Sequence, residues 1–419
     1  MFQKAIGFVF LSVFAAAPLF AADSPTWPQW RGPTRDGVLP ADGKAWPDHL
    51  NAANFKKLWD VTDLGPSYSG PIVSTDKIFT TETVDKKTEF TKAFDRTTGK
   101  LLWKTDWKGT LEVPFFAAKN GSWIRSTPAF DGERLYVAGI QDLLVCLDAN
   151  TGKELWRFDF ATEFKSAAPT FGCVSSPLVD DTGIYIQAGG CVAKLDKKSG
   201  KSLWTSLKDG GGMNASAFSC PVSAKLAAKD QLVVQTRTQL AGVDKETGKE
   251  LWKRDIPSFR GMNILTPVIA GDTVMTSTYG GTTQGFKVVP STDGFRTENA
   301  WSLKYEGNMS TPVIVGGHAY FLGKDQKAIC VDLKTGQETW RTEKRFGQYW
   351  SLIARGDKIL ALDQKGIIYL LKANPKEFEI IDELEVSKNE TWAHLAVVEN
   401  DVVIRDLFGL TVFRWTSEK

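Results

Sequence analysis

Apolar residues along this chain come in short runs broken by polar turns, and the same order keeps returning. A small residue and a proline are followed by an apolar run, a polar turn and a second apolar run. The clearest copies are SGPIVSTDKIFTT (69–81), STPAFDGERLYVAG (126–139), SSPLVDDTGIYIQAG (175–189), LTPVIAGDTVMTST (265–278) and STPVIVGGHAYFLG (310–323). Weaker copies begin at Ser219, Trp350 and His394. Runs such as Leu135 to Ala138 and Ile184 to Ile186 are apolar on successive residues, which predicts strands buried on both faces. No long helical periodicity separates these hairpins, so a two-domain α/β architecture is not expected.

A second phrase closes most of these units. It reads Asp95-RTTGKLL-Trp103, Asp148-ANTGKEL-Trp156, Asp196-KKSGKSL-Trp204, Asp244-KETGKEL-Trp252 and Asp332-LKTGQET-Trp340, with the same Asp-to-Trp spacing each time. A degenerate copy runs from Lys287 to Trp301, and another without Trp lies near Leu371–Leu384. Each unit of roughly 40–50 residues therefore holds four short β-runs, the content of a propeller blade. Eight openings accompany only seven endings, and a spare closing strand, FKKLWDV (55–61), stands ahead of the first unit. A ring closed by pairing that strand with the last three accounts for both. The expected fold is all-β: a single eight-bladed β-propeller of four-stranded blades over 55–415, closed by an N-terminal strand completing the last blade. Residues 1–22 read as a signal peptide, 23–54 as an extended Trp/Pro-rich leader, and 416–419 as a tail.

The closing phrase looks at first like a calcium loop. Lysines stand where oxygen ligands would be needed, and a strand follows where a helix should begin. The structural reading is a hairpin turn: Gly99, Gly152, Gly200, Gly248 and Gly336 supply positive φ, and the Asp and Thr side chains bond turn N–H groups. Trp103, Trp156, Trp204, Trp252 and Trp340 then pack between neighbouring blades, their indole N–H groups seeking acceptors.

The repeats Asp-x-x-Thr-Gly-Lys-x-Leu-Trp, preceded by Ser-x-Pro-Val, resemble those of the PQQ-like β-propeller family. It includes quinoprotein alcohol dehydrogenases and the non-enzymatic propeller of the bacterial outer-membrane assembly machinery. The resemblance spans about residues 55–415, and WPQWRGPTRDG (27–37) is similar to a leader on secreted propellers of this group. As an enzyme, such a protein would carry calcium-bound PQQ held by a Glu and an Asn, beside a catalytic Asp, a stacking Trp and commonly a vicinal Cys–Cys pair. Here Trp350 or Trp392 could stack and Asn214 or Asn263 could ligate. No two cysteines are adjacent, and the nearest carboxylates are only Asp209, Glu306 and Glu390. The resemblance to the assembly propeller implies a scaffold instead.

Strand order places the loops between blades, with the second-to-third-strand loops, on one face, and the Asp-x-x-Thr-Gly turns on the other. The spacing from each Trp to the next blade's proline falls from 25 residues (Trp103 to Pro128) through 21, 17 and 15 to 11 (Trp301 to Pro312). The long early loops should raise a wall beside a central funnel, where binding sites concentrate. The candidate ligand-binding residues there are Trp123, Arg125, Asn214, Arg260, Asn263, Asn308, Trp350, Trp392 and His394, with Phe171, Met213, Met262 and Tyr349 beside them. Aromatic, Asn and Arg side chains suit a planar or sugar-like ligand, or a peptide segment. The plainer alternative is that the large side chains plug the channel and Asn and Gly make turns.

Charge and targeting narrow the classes. Lys+Arg 51 against Asp+Glu 49 leaves +2, too balanced for a nucleic-acid partner. Lys4, the apolar run to Phe20 and Ala21–Ala22 read as a cleaved secretory signal; no cysteine stands at the cleavage point, so no lipid anchor is expected. No other run could span a bilayer. Three histidines, His49, His318 and His394, lie far apart and offer no zinc spacing. Of five cysteines, Cys146 and Cys330 repeat one core position, while Cys173, Cys191 and Cys220 leave room for one bridge that the sequence does not assign. The expectation is a periplasmic or secreted monomer, a scaffold binding a protein or envelope component through its funnel, with no catalytic residue, metal or cofactor. A PQQ/calcium oxidoreductase with a divergent site, or a carbohydrate-binding or carbohydrate-active propeller, are the alternatives.

Overall fold

The computed structural model describes residues 26–417 except 42, 44, 210–217 and 293. The signal peptide, Met213 and Asn214 lie outside the described residues. Eight sheets form the body, seven of four strands and one of five. Blades 1 to 6 begin with the inner strands Ile72–Val73, Ala129–Phe130, Leu178–Asp180, Val222–Leu226, Val268–Ala270 and Val313–Val315. Blade 7 begins with Trp350–Arg355 and blade 8 with Ala396–Val398. Blade 8 takes its outermost strand from Phe55–Val61, which pairs antiparallel with Leu410–Trp415. The expected ring and its closure are both present.

The second and third strands are largely buried, as in Leu135 to Gly139 and Cys191–Leu195, because both of their faces meet another blade. Outer strands alternate; Glu154–Asp159 is half-buried and exposed on successive residues. One feature of these strands was not anticipated. In all eight blades the pairing of third and outer strands shifts register by one residue, and in seven the shift immediately precedes a Trp. In five of these the residue skipped is the Leu of the repeated Leu-Trp, and Leu58, Leu102, Leu155 and Leu203 are 44–54% exposed; in the other two it is Ala300 or Thr339. A bulge bends the strand and re-aims the next side chain. Here it turns each Trp toward the following blade.

The seam that results is repetitive. Trp59 Nε1 donates to the Arg96 carbonyl at 3.0 Å, Trp103 to Ala149 at 3.1 Å, Trp156 to Lys197 at 3.1 Å and Trp204 to Lys245 at 3.2 Å. Each acceptor lies in the next blade's Asp-x-x-Thr-Gly turn. A Cβ on Gly99, Gly152, Gly200 or Gly248 would come within 2.5–2.7 Å of the ring seated on it. These glycines therefore answer two demands, φ between +71° and +74° and the close approach of an indole. The Asp holds the turn as expected: Asp148 Oδ1 accepts from Asn150 N, Thr151 N and Thr151 Oγ1 at 2.8–3.1 Å. Trp301 and Gly336 repeat the seam between blades 5 and 6. Trp340 instead donates to Asn374 of blade 7, whose turn is divergent. Trp252 departs from the pattern. Its N–H bonds Gln231 Oε1 of its own blade at 2.6 Å, since blade 5 offers a long hairpin in place of the glycine turn.

The segment read as a separate leader belongs to the interior. Trp27 exchanges backbone hydrogen bonds with Val73 of blade 1 at 2.7 and 3.0 Å, and the Pro28 carbonyl accepts from Phe130 of blade 2. Gln29 Oε1 accepts from Val179 of blade 3, and Val38–Leu39 adds a parallel fifth strand to blade 7. Residues 27–39 thus cross the central channel. Inner strands present an unpaired edge there, and the arm covers it.

Candidate functional site

The floor of the funnel is made by the arm. Arg31 and Arg35 are 1% and 5% exposed, and no carboxylate forms an ion pair with either among the described residues. Their donors go to carbonyls. Arg31 Nη2 bonds the Pro312 carbonyl at 2.5 Å and that of Asp36; Arg35 bonds Pro177 at 2.7 Å and Ser176 at 3.1 Å. The sequence places Ser-Pro or Thr-Pro at the start of several inner strands, where the carbonyls facing the channel need donors from outside their own sheet. Guanidinium groups suit that task, with several N–H groups in a fixed fork. Burial pushes both pKa values down to about 10, so both stay charged. The Trp30 ring lies 5.6 and 5.7 Å from the two guanidinium carbons, a contact that offsets part of the desolvation.

Above this floor the predicted residues separate into two groups. Trp123, Arg125 and Trp392 come together around Tyr68. Trp123 meets Tyr68 edge-on at 5.4 Å, Trp392 lies 5.5 Å away, and Arg125 sits over the Tyr68 ring at 5.2 Å. Tyr349 stacks on Trp392 at 6.2 Å and 19°. Burial pushes the Tyr68 phenol up to about 12 and Arg125 down to about 10, so neither changes charge near neutrality. Tyr68 was missed from the sequence because it precedes the first repeat's Ser-Gly-Pro, outside the long loops.

The other candidates have structural positions. Trp350 is 2% exposed on the inner strand of blade 7, and its N–H bonds Asp363 Oδ2 at 3.0 Å, so it offers no face to a ligand. Asn263 is 1% exposed and donates to the carbonyls of Arg237 and Ile256 at 2.9 and 3.1 Å, which fixes the loop between blades 4 and 5. As an Asn of a funnel loop it is a candidate ligand by sequence, but the loop turns the amide inward. Arg260 is exposed on that loop, over the Phe259 ring. Asn308 is half-buried at the start of blade 6. His394 is buried, its Nδ1 2.9 Å from the Leu395 carbonyl, and desolvation and the Arg31 charge push its pKa down to about 3. It is therefore neutral wherever the protein works and cannot exchange protons there. All five cysteines are buried thiols, and none is paired with another. Burial pushes the Cys191 pKa up to about 12 and Cys330 to about 11, which leaves them unreactive.

The same face carries a second aromatic feature. Phe115 and Phe116, in a short 3-10 turn at Phe115–Asn120, are 91% and 59% exposed. Phe116 contacts Phe171 at 6.2 Å, Phe171 contacts Phe218 at 5.8 Å, and Arg237 closes the row over Phe218 at 5.4 Å. The arc spans the loops that enter blades 2, 3 and 4, the long ones predicted to form a wall.

A quinone held by calcium would need anionic oxygens free to turn to a metal. Glu390 already accepts from Gln364 Nε2 at 2.6 Å and Trp392 Nε1 at 2.8 Å. Asp363 accepts from Gly347 N at 2.6 Å and from Trp350, and Glu306 is bound to Lys324 at 2.6 Å. Among the described residues no three His, Cys, Asp or Glu groups are placed to hold a metal ion. With two guanidinium groups beneath, these residues do not fit that group.

Comparisons with known proteins agree on the architecture. A family model described as outer membrane protein assembly factor BamB matches residues 87–342. The solved structure of BamB from Moraxella catarrhalis superposes with a TM-score of 0.63 at 14% identity, covering 86% of this chain and 100% of that one. Quinohemoprotein alcohol dehydrogenase from Comamonas testosteroni superposes with a TM-score of 0.64 at 13% identity, covering 96% and 82%. At these identities the likeness is one of fold. A serine/threonine-protein kinase, AfsK of Streptomyces griseus, is 28% identical over 175 residues, which is 41% of this chain and only 20% of the kinase. The chain spans about a fifth of that relative's length, so the kinase's own activity stays with the kinase.

Proposed function

Because the chain belongs to the family of the outer membrane protein assembly factor BamB, we propose that it is a non-catalytic scaffold of the cell envelope, periplasmic or secreted, which docks a protein partner on the loop face. The observation that carries this reading is the arc Phe115–Phe116–Phe171–Phe218. Adjacent phenylalanines exposed to this degree are costly in water, and contiguous apolar surface rimmed by polar residues marks interaction sites. The arc stands on loops held by a rigid ring, the arrangement in which recognition is commonly built. The plugged channel supports the same reading, since a partner can meet the face but not thread the ring.

The test uses photo-crosslinking side chains at positions 115 and 116, and at Lys198 on the opposite face, in living cells. A discrete adduct from the first two positions and none from the third is expected, and Phe116→Ser in the Phe115 probe should abolish it. Equal adducts from both faces would overturn the assignment. Mixing the purified chain with PQQ and Ca²⁺, then following cofactor absorbance and dye-linked alcohol oxidation, tests the oxidoreductase alternative; turnover there would overturn the scaffold reading.

A further inference from the structure

A groove of about 640 Å³ opens on the loop face where the loop entering blade 5 meets the turns of blades 5 and 6. It lies next to the Arg237 end of the phenylalanine arc, where the Arg237 carbonyl accepts from Ser258 Oγ at 3.5 Å. Pro257, Phe259, Tyr279, Thr282, Gln284 and Lys324 line it. Its volume lies within the roughly 300–1,000 Å³ of small-ligand sites. The two rings stand 6.1 Å apart at 45°, and Phe259 is 52% exposed.

The groove is built rather than incidental. Phe259 N bonds the Tyr279 carbonyl at 2.8 Å, and Gly280, at φ +71°, brings the loop so close that a Cβ would lie 2.7 Å from the Phe259 Cβ. Glu306 ties the far side. Its carboxylate accepts from Gly280 N at 2.9 Å and from Lys324 Nζ at 2.6 Å, and its carbonyl accepts from Lys324 N at 2.9 Å. The Lys324 ammonium also sits 4.0 Å from the centre of the Tyr279 ring. The backbone that carries both rings is therefore held before a ligand arrives.

The chemistry of these walls selects a ligand class. Among the described residues, the one cation in the lining, Lys324, is matched by Glu306, so the lining itself carries no net charge; Arg260 over the Phe259 ring and Arg254 on Gln284 stand outside it. Two tilted aromatic faces accept the C–H faces of pyranose rings. Thr282, Gln284 and Lys324 offer both donors and acceptors at the edges, as hydroxyl groups require. We propose that this groove is a second ligand site, which binds a neutral saccharide. It would let the same face hold an envelope glycan and a protein partner side by side. The proposal does not depend on the protein partner, because the groove and the phenylalanine arc share no residue.

The probes are laminarin, hydroxyethylcellulose, xyloglucan and soluble starch, each cast into a native gel, followed by calorimetry with the hexasaccharide of any that retards the protein. Retardation by at least one is expected, independent of salt because no charge is used. Phe259→Ala should weaken it by about ten-fold or more, Lys324→Met should weaken it less, and Phe115→Ser should leave it unchanged. Phe259 is too exposed to matter for folding, and circular dichroism checks this. No retardation by any of the four would overturn the proposal. So would retardation that survives Phe259→Ala, or that disappears at high salt.

Discussion

Single residues decide the seams and the pH response. Gly248 has φ +74° with the Trp204 ring over it, whereas Gly271 has φ +59° and open space where a Cβ would stand. Ala at Gly271 should cost about 1–2 kcal/mol for the left-handed backbone alone. Ala at Gly248 should cost about 2–4 kcal/mol, since the indole must also move; urea denaturation of the two variants separates the terms. Burial also pushes Glu89 from its ordinary 4.5 up to about 7 and Asp142 from 3.8 up to about 6. Glu89 accepts from Ile140 N and Trp107 Nε1, and Asp142 from Gly189 N, so both sit in seams of blades 1 to 3. A raised carboxyl binds its proton more tightly in the folded chain than in the unfolded one. Its contribution is complete below the unfolded pKa and is lost as pH rises through the folded pKa. Melting temperature should therefore rise as pH falls from about 7 toward about 5, and Glu89→Gln should flatten that slope. A flat profile in the parent protein would refute the assignment.

At the scale of elements, the bulge separates two residues that sequence alone treats as a pair. In the Leu-Trp pairs the Leu is the skipped residue and stays outside, while the Trp turns into the seam. Leu155→Ser should change stability by no more than about 0.5 kcal/mol. Trp156→Ala should cost about 3–5 kcal/mol, measured by the same denaturation. The hairpins, the turns and the Asp caps were legible because each is specified within a dozen residues. The bulge was not, because a register shift is a relation between two strands, and neither strand's alternation reports it. Trp350 shows the same limit from the other side. The sequence reads it both as the start of a weak repeat and as a funnel candidate, and pairing with blade 7's second strand decides for the inner strand.

The whole molecule is a ring closed twice. Phe55–Val61 closes it at the rim, where Trp59 repeats the seam against Gly99. Residues 27–39 close it at the axis, reaching the inner strands of blades 1, 2, 3, 6 and 7. Arg35→Met would leave the Ser176 and Pro177 carbonyls without their donors, at a cost of about 1–3 kcal/mol per orphaned group. Hydrogen exchange should then quicken first along the inner strands of blade 3, while the Asp-turn amides of the same blade keep their protection. Uniform quickening around the ring would contradict the pinning role.

The sequence by itself determined the number of blades, the closure at the rim, the turn chemistry and the Trp that marks most of the seams, since repetition writes the same local solution many times. The candidate site was legible only in part. Trp123, Arg125 and Trp392 do meet, but around Tyr68, and Asn263 and His394 are turned into the protein. What only the tertiary structure decided is how residues that do not repeat find one another. Beyond the Asp36 carbonyl, the arm's arginines are answered by carbonyls 141 to 281 positions away, and no local pattern encodes a partner at that distance. The fold is a property of the repeat, and the site is a property of the ring.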